Sequence, residues 1–570
     1  MATAPTSSDG AKAWKKRSVV SSFLLRGCWT GNIDTSRKPE VTLFERSDKV
    51  STYRKHLAPI SGTVETTDPS PLSAALREIR EETTLAPPEI TLLRQGKPFT
   101  FRDSSICREW TVHPFLFGVQ PPPASSGAEQ PPQPADSKIR IDWEHTRFVW
   151  VDPTQAVHDA EAGRIQAVPR LADSLRRVWF EADLGEAAGG VLRAGLHKLA
   201  TDHESGAAAL SEAALKTLSD VVRCLSEHDL HDAGDEREEW KWWWDRIRMA
   251  AWHLWKNGRE SMGAAILGKV LVVLARMEKA AREAAEDSVP AGAKRKDIWK
   301  DLALRAISTP SDEASEPSAS VPSAFSDYII QKFPERIKSR EPIAILTLSD
   351  SGTVRSCLRH AVDEIKIVLD LRVLESRPLY EGVSLAATLA KHLSSTGDPK
   401  FPHKVTLYTD ASAALASVNV DVVLLGADRI ASSGAVSNKT GSLPAVLAAK
   451  HMAPRARVAV VGGTEKIAPP GRPEDHVVED NGAEQVRRAW GGLHNSDGVR
   501  GGAEELQRAL SAPSANASAV RTEIPNVFFE WVPPELIDAY VTEAGVWTRE
   551  RIAEHSVKLG AEVARLLGNL

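Results

Sequence analysis

Cysteine is scarce: four in 570 residues, Cys28, Cys107, Cys224 and Cys357, stand far apart and form no Cys-x-x-Cys pair. That spacing argues against both a disulfide framework and a structural zinc site, and a reducing cytosol is the expected compartment. Net charge is small as well, −5 from 71 Lys and Arg against 76 Asp and Glu. No global field draws the chain to nucleic acid or to an anionic membrane, so neither is expected as a direct partner. Long apolar runs are missing, and the opening MATAPTSSDGAKAWKKRS has no apolar signal core, so a cytoplasmic protein is expected. Internal repeats are lacking too.

What is present is core material, with 42% hydrophobic residues and 16 Trp over a length that calls for two or three domains. Proline and serine clusters divide the chain. Residues 1–16 are expected to be disordered. Residues 17–158 alternate short β-rich runs with one strong helix, an α+β domain interrupted by a Pro-rich loop at 119–138. A connecting helix is expected at 159–185 and an α-helical domain at 186–285, where Trp240, Trp244, Ile247, Ala251 and Leu254 share one stripe. Such a stripe reads as packing rather than an aromatic binding box. Residues 286–323 read as a linker with a short helix around KDIWKDLALRAI, while NSDGVRGG and SAPSANASA read as exposed insertions. From 324 to 570, near-continuous apolar strands such as IAILTL and VDVVLLGAD alternate with helical segments. Strands of that kind are buried on both faces, the pattern of a doubly wound, Rossmann-like α/β domain.

Two constellations carry chemistry. In PLSAALREIREETTL, Glu78, Glu81 and Glu82 fall at i, i+3 and i+4 and share one helical face. Crowded carboxylates are hard oxygen ligands for Mg²⁺ or Mn²⁺, with a diphosphate completing the shell. The plainer reading is a solvated face with Arg77 and Glu81 paired at i,i+4. The surrounding residues resemble the Nudix hydrolase family over roughly 17–158: REIREETTL matches the core of its box at Arg77, Glu78, Ile79, Glu81, Glu82 and Leu85. The match has departures. Gly62 lies one residue too far upstream, the box's first Glu falls on Pro69 with Asp68 the nearest acid, and its late Gly is Thr84, expected to end the helix without a left-handed residue. The resemblance implies a metal-dependent hydrolase of a nucleoside diphosphate derivative, with Glu78, Glu81 and Glu82 as metal ligands and catalytic groups. Glu144 is either a further ligand or base, or an ordinary surface acid.

The second constellation opens on ILTLSDSGTV, where Ser349, Ser351, Gly352 and Thr353 sit between a strand end and a helix start, a place that favours an anion or simply caps the helix. ESRPLYEG, GADRIASSGAVSNKTG and GGTEK end at the same predicted sheet edge. Arg377 and Lys439 can neutralise a phosphate, and Asp428 can act as acid or base or bind a sugar hydroxyl. With VEDNGAEQV and NVFFEWVPPELIDAYVTEAG these segments, in order, resemble the family joining translation initiation factor 2B alpha, beta and delta subunits to methylthioribose-1-phosphate and ribose-1,5-bisphosphate isomerases. That resemblance covers roughly 186–570. It implies a sugar-phosphate pocket holding Ser349, Ser351, Gly352, Thr353, Arg377, Asn438 and Lys439. NGRESMGAAI resembles the end of the family's helical domain, so Arg259 would reach the pocket. It also implies pairing of copies through the α/β domain and raises initiation factor subunits as partners.

In the isomerases the position of Ser349 is a Cys that works with the Asp matching Asp428. A serine hydroxyl cannot ionise near neutral pH without a dedicated base. Cys357, on the following helix, reads as a buried small hydrophobe. Three functions therefore stay open. The first is a Nudix-type hydrolase joined to a sugar-phosphate or nucleotide-binding domain. The second is a non-enzymatic regulatory protein related to initiation factor 2B. The third is a pentose 1-phosphate isomerase in which Asp428 works through water.

Overall fold

The computed structural model describes residues 14–27, 38–87, 89–119, 138–203, 205–225, 236–286, 295–309, 320–396, 398–473, 476, 478–491, 501–506, 508 and 522–570. Nearly all of the Pro-rich loop, most of NSDGVRGG and all of SAPSANASA lie outside these residues.

The N-terminal domain is built on seven strands: β1 (Lys15–Arg26), β2 (Glu40–Arg46), β3 (Leu57–Ala58), β4 (Ile90–Gln95), β5 (Phe99–Asp103), β6 (Arg108–Val119) and β7 (His145–Val151). The order is β3-β2-β1-β6-β4, with β5 added to β6 and β7 to β2. Pairing of β1 with β6 begins at Lys15, so the last residues of the segment expected to be disordered belong to a strand. Alternation along the central strands sends Leu24 and Phe117 to one face, under Ala74, Ala75 and Ile79 of helix α1 (Pro71–Thr83). Phe23, Leu25 and Leu116 go to the other, against α2 (Pro153–Glu161) and α3 (Leu171–Arg176).

The single connecting helix expected at 159–185 is instead the end of α2, all of α3 and the start of α4 (Glu181–Thr201). Gly163 and Arg170 take left-handed φ values of 65° and 63°, and Pro169 offers no amide donor, so the chain turns rather than continuing as helix. The helical domain follows with α5 (Ala207–Cys224), α6 (Glu236–Asn257) and α7 (Gly263–Glu286). Trp244, Ile247, Ala251 and Leu254 of α6 face its core, as the stripe predicts, with Trp240 packed at the margin. Part of the expected linker belongs to this core: Trp299, Ala303 and Ala306 of α8 (Arg295–Ser308) are buried in it. So are Leu566 and Leu567 of the C-terminal helix, Arg549–Leu567.

The C-terminal domain opens with α9 (Val321–Lys332) and carries β8 (Pro342–Leu348), β9 (Val368–Leu374), β10 (Lys404–Tyr408), β11 (Val422–Leu425), β12 (Arg429–Ile430), β13 (Val436–Lys439), β14 (Arg457–Val461), β15 (Phe529–Val532), β16 (Ala539–Thr542) and β17 (Gly545–Trp547). Its main sheet runs β10-β9-β8-β11-β14-β16-β17, parallel except for β17, and β12-β13-β15 form a small antiparallel sheet. From β8 the chain winds outward to β10 and returns to β11 on the other side. The gap between the C-terminal ends of β8 and β11 is thus the switch point where open α/β sheets bind ligands.

Candidate functional sites

The carboxylate centre is organised by α1. Ser70 caps the helix by accepting from the Ser73 amide at 3.2 Å, and Pro71 starts it. One turn on, the Arg77 guanidinium donates to both Asp68 oxygens (2.9 and 3.2 Å), to the Thr63 carbonyl (3.0 Å), to Glu78 (2.7 Å) and to Glu81 (3.3 Å). Asp68, one residue before the position of the box's first Glu, therefore supplies a carboxylate partner for Arg77. Gly62 is where Glu78 crosses the preceding loop, since a Cβ there would stand 1.9 Å from the Glu78 Cδ. The offset in spacing is absorbed by the loop and not by the helix.

Thr84 corrects the expected helix end. It adopts φ 65°, ψ −2°, and its amide closes the helix on the Arg80 carbonyl, so the left-handed residue exists without glycine.

Glu78, Glu82 and Glu144 converge, whereas Glu81 stays at the rim with its side chain 57% exposed. Glu82 is only 4% exposed, and its Oε2 has no hydrogen-bond partner among the described residues. His145 Nε2 lies 3.5 Å from that oxygen, but burial pushes the imidazole toward its neutral form. Burial, reinforced by Glu78, Glu144 and Asp142, pushes the Glu82 carboxyl up to about 9. Glu78 and the half-buried Glu144 are raised too, chiefly by burial. Among the described residues, no group of three or more His, Cys, Asp and Glu is arranged to hold a metal ion. The donor chemistry nonetheless suits a hard cation: crowded carboxylates, each costly to ionise alone, and one buried oxygen without a partner.

The second site lies at the switch point. Ser349 sits at φ 64°, and its amide donates to Ser376 Oγ at 2.7 Å. Ser376 and Arg377 donate their amides to Asp410 (2.9 and 2.8 Å), which fixes the ESRPLYEG turn. Ser351 caps the helix Gly352–Asp363 through the Val354 amide, leaving Gly352 exposed and Thr353 half-buried in its first turn. Gly426 allows close approach: a Cβ there would lie 2.9 Å from Ser351 Oγ and 3.6 Å from Asn438 Oδ1. Asn438 itself donates to Ser442.

The cations are paired. Lys439 meets Glu381 at 2.9 Å and lies 3.9 Å over the Phe528 ring. Arg259, 4% exposed, is held by both Glu479 oxygens (2.9 and 3.2 Å) and by the Asp202 carbonyl (2.9 Å). Arg377 stays at the rim, bonded to the Tyr380 hydroxyl at 2.6 Å. Asp428 sits among these groups. Burial raises its carboxyl, while Lys466, Arg259 and Lys439 pull it down without cancelling the rise. Cys357 is fully buried, which pushes its thiol up to about 12 and removes it as a nucleophile. A cavity of about 540 Å³ beside the Arg259–Glu479 pair is lined by Ser261, Ser437, Phe529 and Trp531. Glu381, Glu479, Lys466 and Asp410 were not singled out in the sequence, because their partners are 34 to 220 residues away or opposed only through space.

The model of the NUDIX domain matches residues 31–171, and that of the initiation factor 2 subunit family matches 269–549. A probable bifunctional methylthioribose-1-phosphate isomerase/methylthioribulose-1-phosphate dehydratase of Nocardia farcinica (strain IFM 10152) is 29% identical over 41% of this chain and 38% of its own. The methylthioribose-1-phosphate isomerase of Magnetococcus marinus (strain ATCC BAA-1437 / JCM 17883 / MC-1) is 30% identical over 31% of this chain and 42% of its own. The chain thus spans about two fifths of the length of these curated relatives. The crystal structure of Pyrococcus horikoshii OT3 translation initiation factor eIF-2B aligns over 63% of this chain and 98% of that one, with 20% identity and a TM-score of 0.38. The chain joins a Nudix domain to a domain of the initiation factor 2B and methylthioribose-1-phosphate isomerase type.

Proposed function

We propose that the protein is a regulatory, ligand-binding relative of initiation factor 2B, whose α/β domain holds a phosphorylated sugar or nucleotide without isomerising it. The observation that carries this reading is Ser349. By the resemblance it falls where the isomerases carry their thiol, and among the described residues no side chain accepts a hydrogen bond from its hydroxyl, so no base is placed to ionise it. The turn still offers a capped helix start, Asn438 lies across Gly426 from Ser351, and Lys439 acts on the Asp428 carboxyl. Pairing with a second copy fits the edge strand β10 and its neighbours, which expose Leu407 at 45% and Leu415 at 67%. Methylthioribose 1-phosphate, the substrate named for the relatives, is the probe of choice. Saturable binding by calorimetry, lost in Lys439→Gln, with no ketose formed, is the expected result. Ketose formation that disappears in Asp428→Asn would overturn it and establish an isomerase.

A second reading concerns the other domain, and the unpartnered Oε2 of buried Glu82 favours it. Glu78, Glu82 and Glu144 would hold Mg²⁺ or Mn²⁺ there, with Glu81 of the expected set left at the exposed rim, and the bound cation would supply charge neutralisation for a diphosphate. Arg77 orients Glu78 and Glu81 from behind. Release of monophosphate from a nucleoside diphosphate sugar, followed by ³¹P NMR and abolished in Glu78→Gln/Glu82→Gln, is the outcome that supports this hydrolase. Unchanged spectra would leave the domain a binding module.

A further inference from the structure

The small sheet β12-β13-β15 has a second face that the switch-point site does not use. Cross-strand pairing sets Arg429, Ser437 and Trp531 in one row, since Ser437 stands opposite Arg429 on one side and Trp531 on the other. Asn438, the next residue along β13, points the other way, toward Gly426 and Ser442. The row lines the cavity of about 540 Å³, together with Phe529, Pro533 and Pro534. No residue assigned above to the sugar-phosphate pocket lines it. Arg429 carries an unmet charge there. It is 3% exposed, its Nε has no hydrogen-bond partner among the described residues, and its other nitrogens donate to His476 Nδ1 and the Glu260 carbonyl. Among the described residues no carboxylate forms an ion pair with this guanidinium: Glu260 turns its own toward His476 (3.3 Å) and Lys256 (3.7 Å). A buried guanidinium is costly to keep charged unless an anion meets it. Ser437, 7% exposed, adds a hydroxyl with no hydrogen-bond partner among the described residues.

We propose that this row is a separate binding site for a small monocarboxylate with a flat apolar body, its acid group meeting Arg429 and Ser437 and its body lying against Trp531 and Phe529. Charge-assisted hydrogen bonds from a guanidinium are the strongest this wall can offer an acid group. The half-buried indole and phenyl rings offer the flat part a surface to stack on. The charge of the ligand follows from the walls. Glu479 is held by Arg259, and Glu260 by Lys256 and His476, which leaves one guanidinium in excess. A single negative charge matches it, whereas a phosphate dianion would also face both carboxylates. The site is independent of the sugar-phosphate pocket, which lies on the other face of the small sheet.

The test titrates the full chain and follows the ¹⁹F linewidth of 4-fluorobenzoate, with 4-fluorobenzyl alcohol as the uncharged control and 4-fluorophenyl phosphate as the dianion. Saturable broadening of the benzoate is expected, about tenfold tighter than that of the alcohol and tighter than that of the phosphate. It should vanish in Arg429→Met. Where that variant fails to fold, Trp531→Leu keeps the charge and is expected to weaken binding about fivefold, with circular dichroism reporting an intact fold. Equal broadening by acid and alcohol, or an affinity that Trp531→Leu leaves unaltered, would overturn the site. So would competitive displacement by methylthioribose 1-phosphate, which would make the cavity part of the switch-point pocket. Tighter binding of the phenyl phosphate would overturn the choice of a monoanion. Benzoate binding that persists beside excess methylthioribose 1-phosphate supports the site whether or not that sugar phosphate binds elsewhere.

Discussion

At the scale of single residues, two side chains hold conformations or charge states that cost free energy. Thr84 is β-branched and left-handed, a combination that costs about 1–2 kcal/mol. Its side chain is exposed, so Thr84→Gly removes the strain without losing packing, offset in part by the entropy of glycine in the unfolded chain. A net gain of about 0.5–1 kcal/mol in urea unfolding is expected. Glu82 makes a pH prediction. Folding raises its carboxyl from 4.5 to about 9, so the folded state holds this proton more tightly than the unfolded chain. The stability it contributes is whole below about pH 4.5 and is lost as pH rises toward 9. The Tm of metal-free protein should fall across that window, and Glu82→Gln should flatten the fall. Mg²⁺ should raise the Tm more at pH 8 than at pH 5, and only while Glu82 is present. What could be read at this scale from sequence was Glu78, Glu81 and Glu82 on one helical face, though not that Glu81 would stay at the exposed rim. Asp68 as the partner of Arg77 was visible only as an acid one place off, because a loop and not a helix sets that contact.

At the scale of elements, legibility followed burial. β8, β9, β11 and β14 could be read because strands buried on both faces are near-continuous runs of Val, Ile and Leu. α1 could be read from its apolar spacing. The membership of α8 and the C-terminal helix in the helical core could not, since nothing local says which surface an amphipathic helix will cover. Helix Gly352–Asp363 gives a test of the dual use of its first turn. Ser351→Ala removes its side-chain cap, so a loss of about 1 kcal/mol is expected in thermal unfolding. The same substitution should weaken methylthioribose 1-phosphate binding, whereas a purely structural cap would leave affinity unchanged in the folded fraction.

At the scale of the whole molecule, the N-terminal and helical domains are joined by buried charge. Arg94 of β4, 1% exposed, pairs with both Glu181 oxygens (2.8 and 2.9 Å), donates to the Val178 carbonyl and stacks 3.9 Å over Phe180. Removing Glu181 leaves the Arg94 charge in low dielectric without its carboxylate, whereas removing Arg94 leaves Glu181 only its longer bond to Arg193 at 3.3 Å. Arg94→Met or Glu181→Leu alone should cost about 3–5 kcal/mol, and the double variant markedly less than their sum, as read by a double-mutant cycle in denaturant.

A second junction lies beside it. The Asn257 amide group accepts from the Gln95 amide at 2.7 Å and donates to the Gln95 carbonyl at 2.9 Å, as a neighbouring strand would. Gln95 ends β4, an edge strand of the N-terminal sheet. Cutting the chain between the two domains would therefore leave one fragment with a raw, sticky margin and the other with a half-buried amide that has lost its match. The halves should be made together, or the N-terminal half rescued by supplying the helical half in trans.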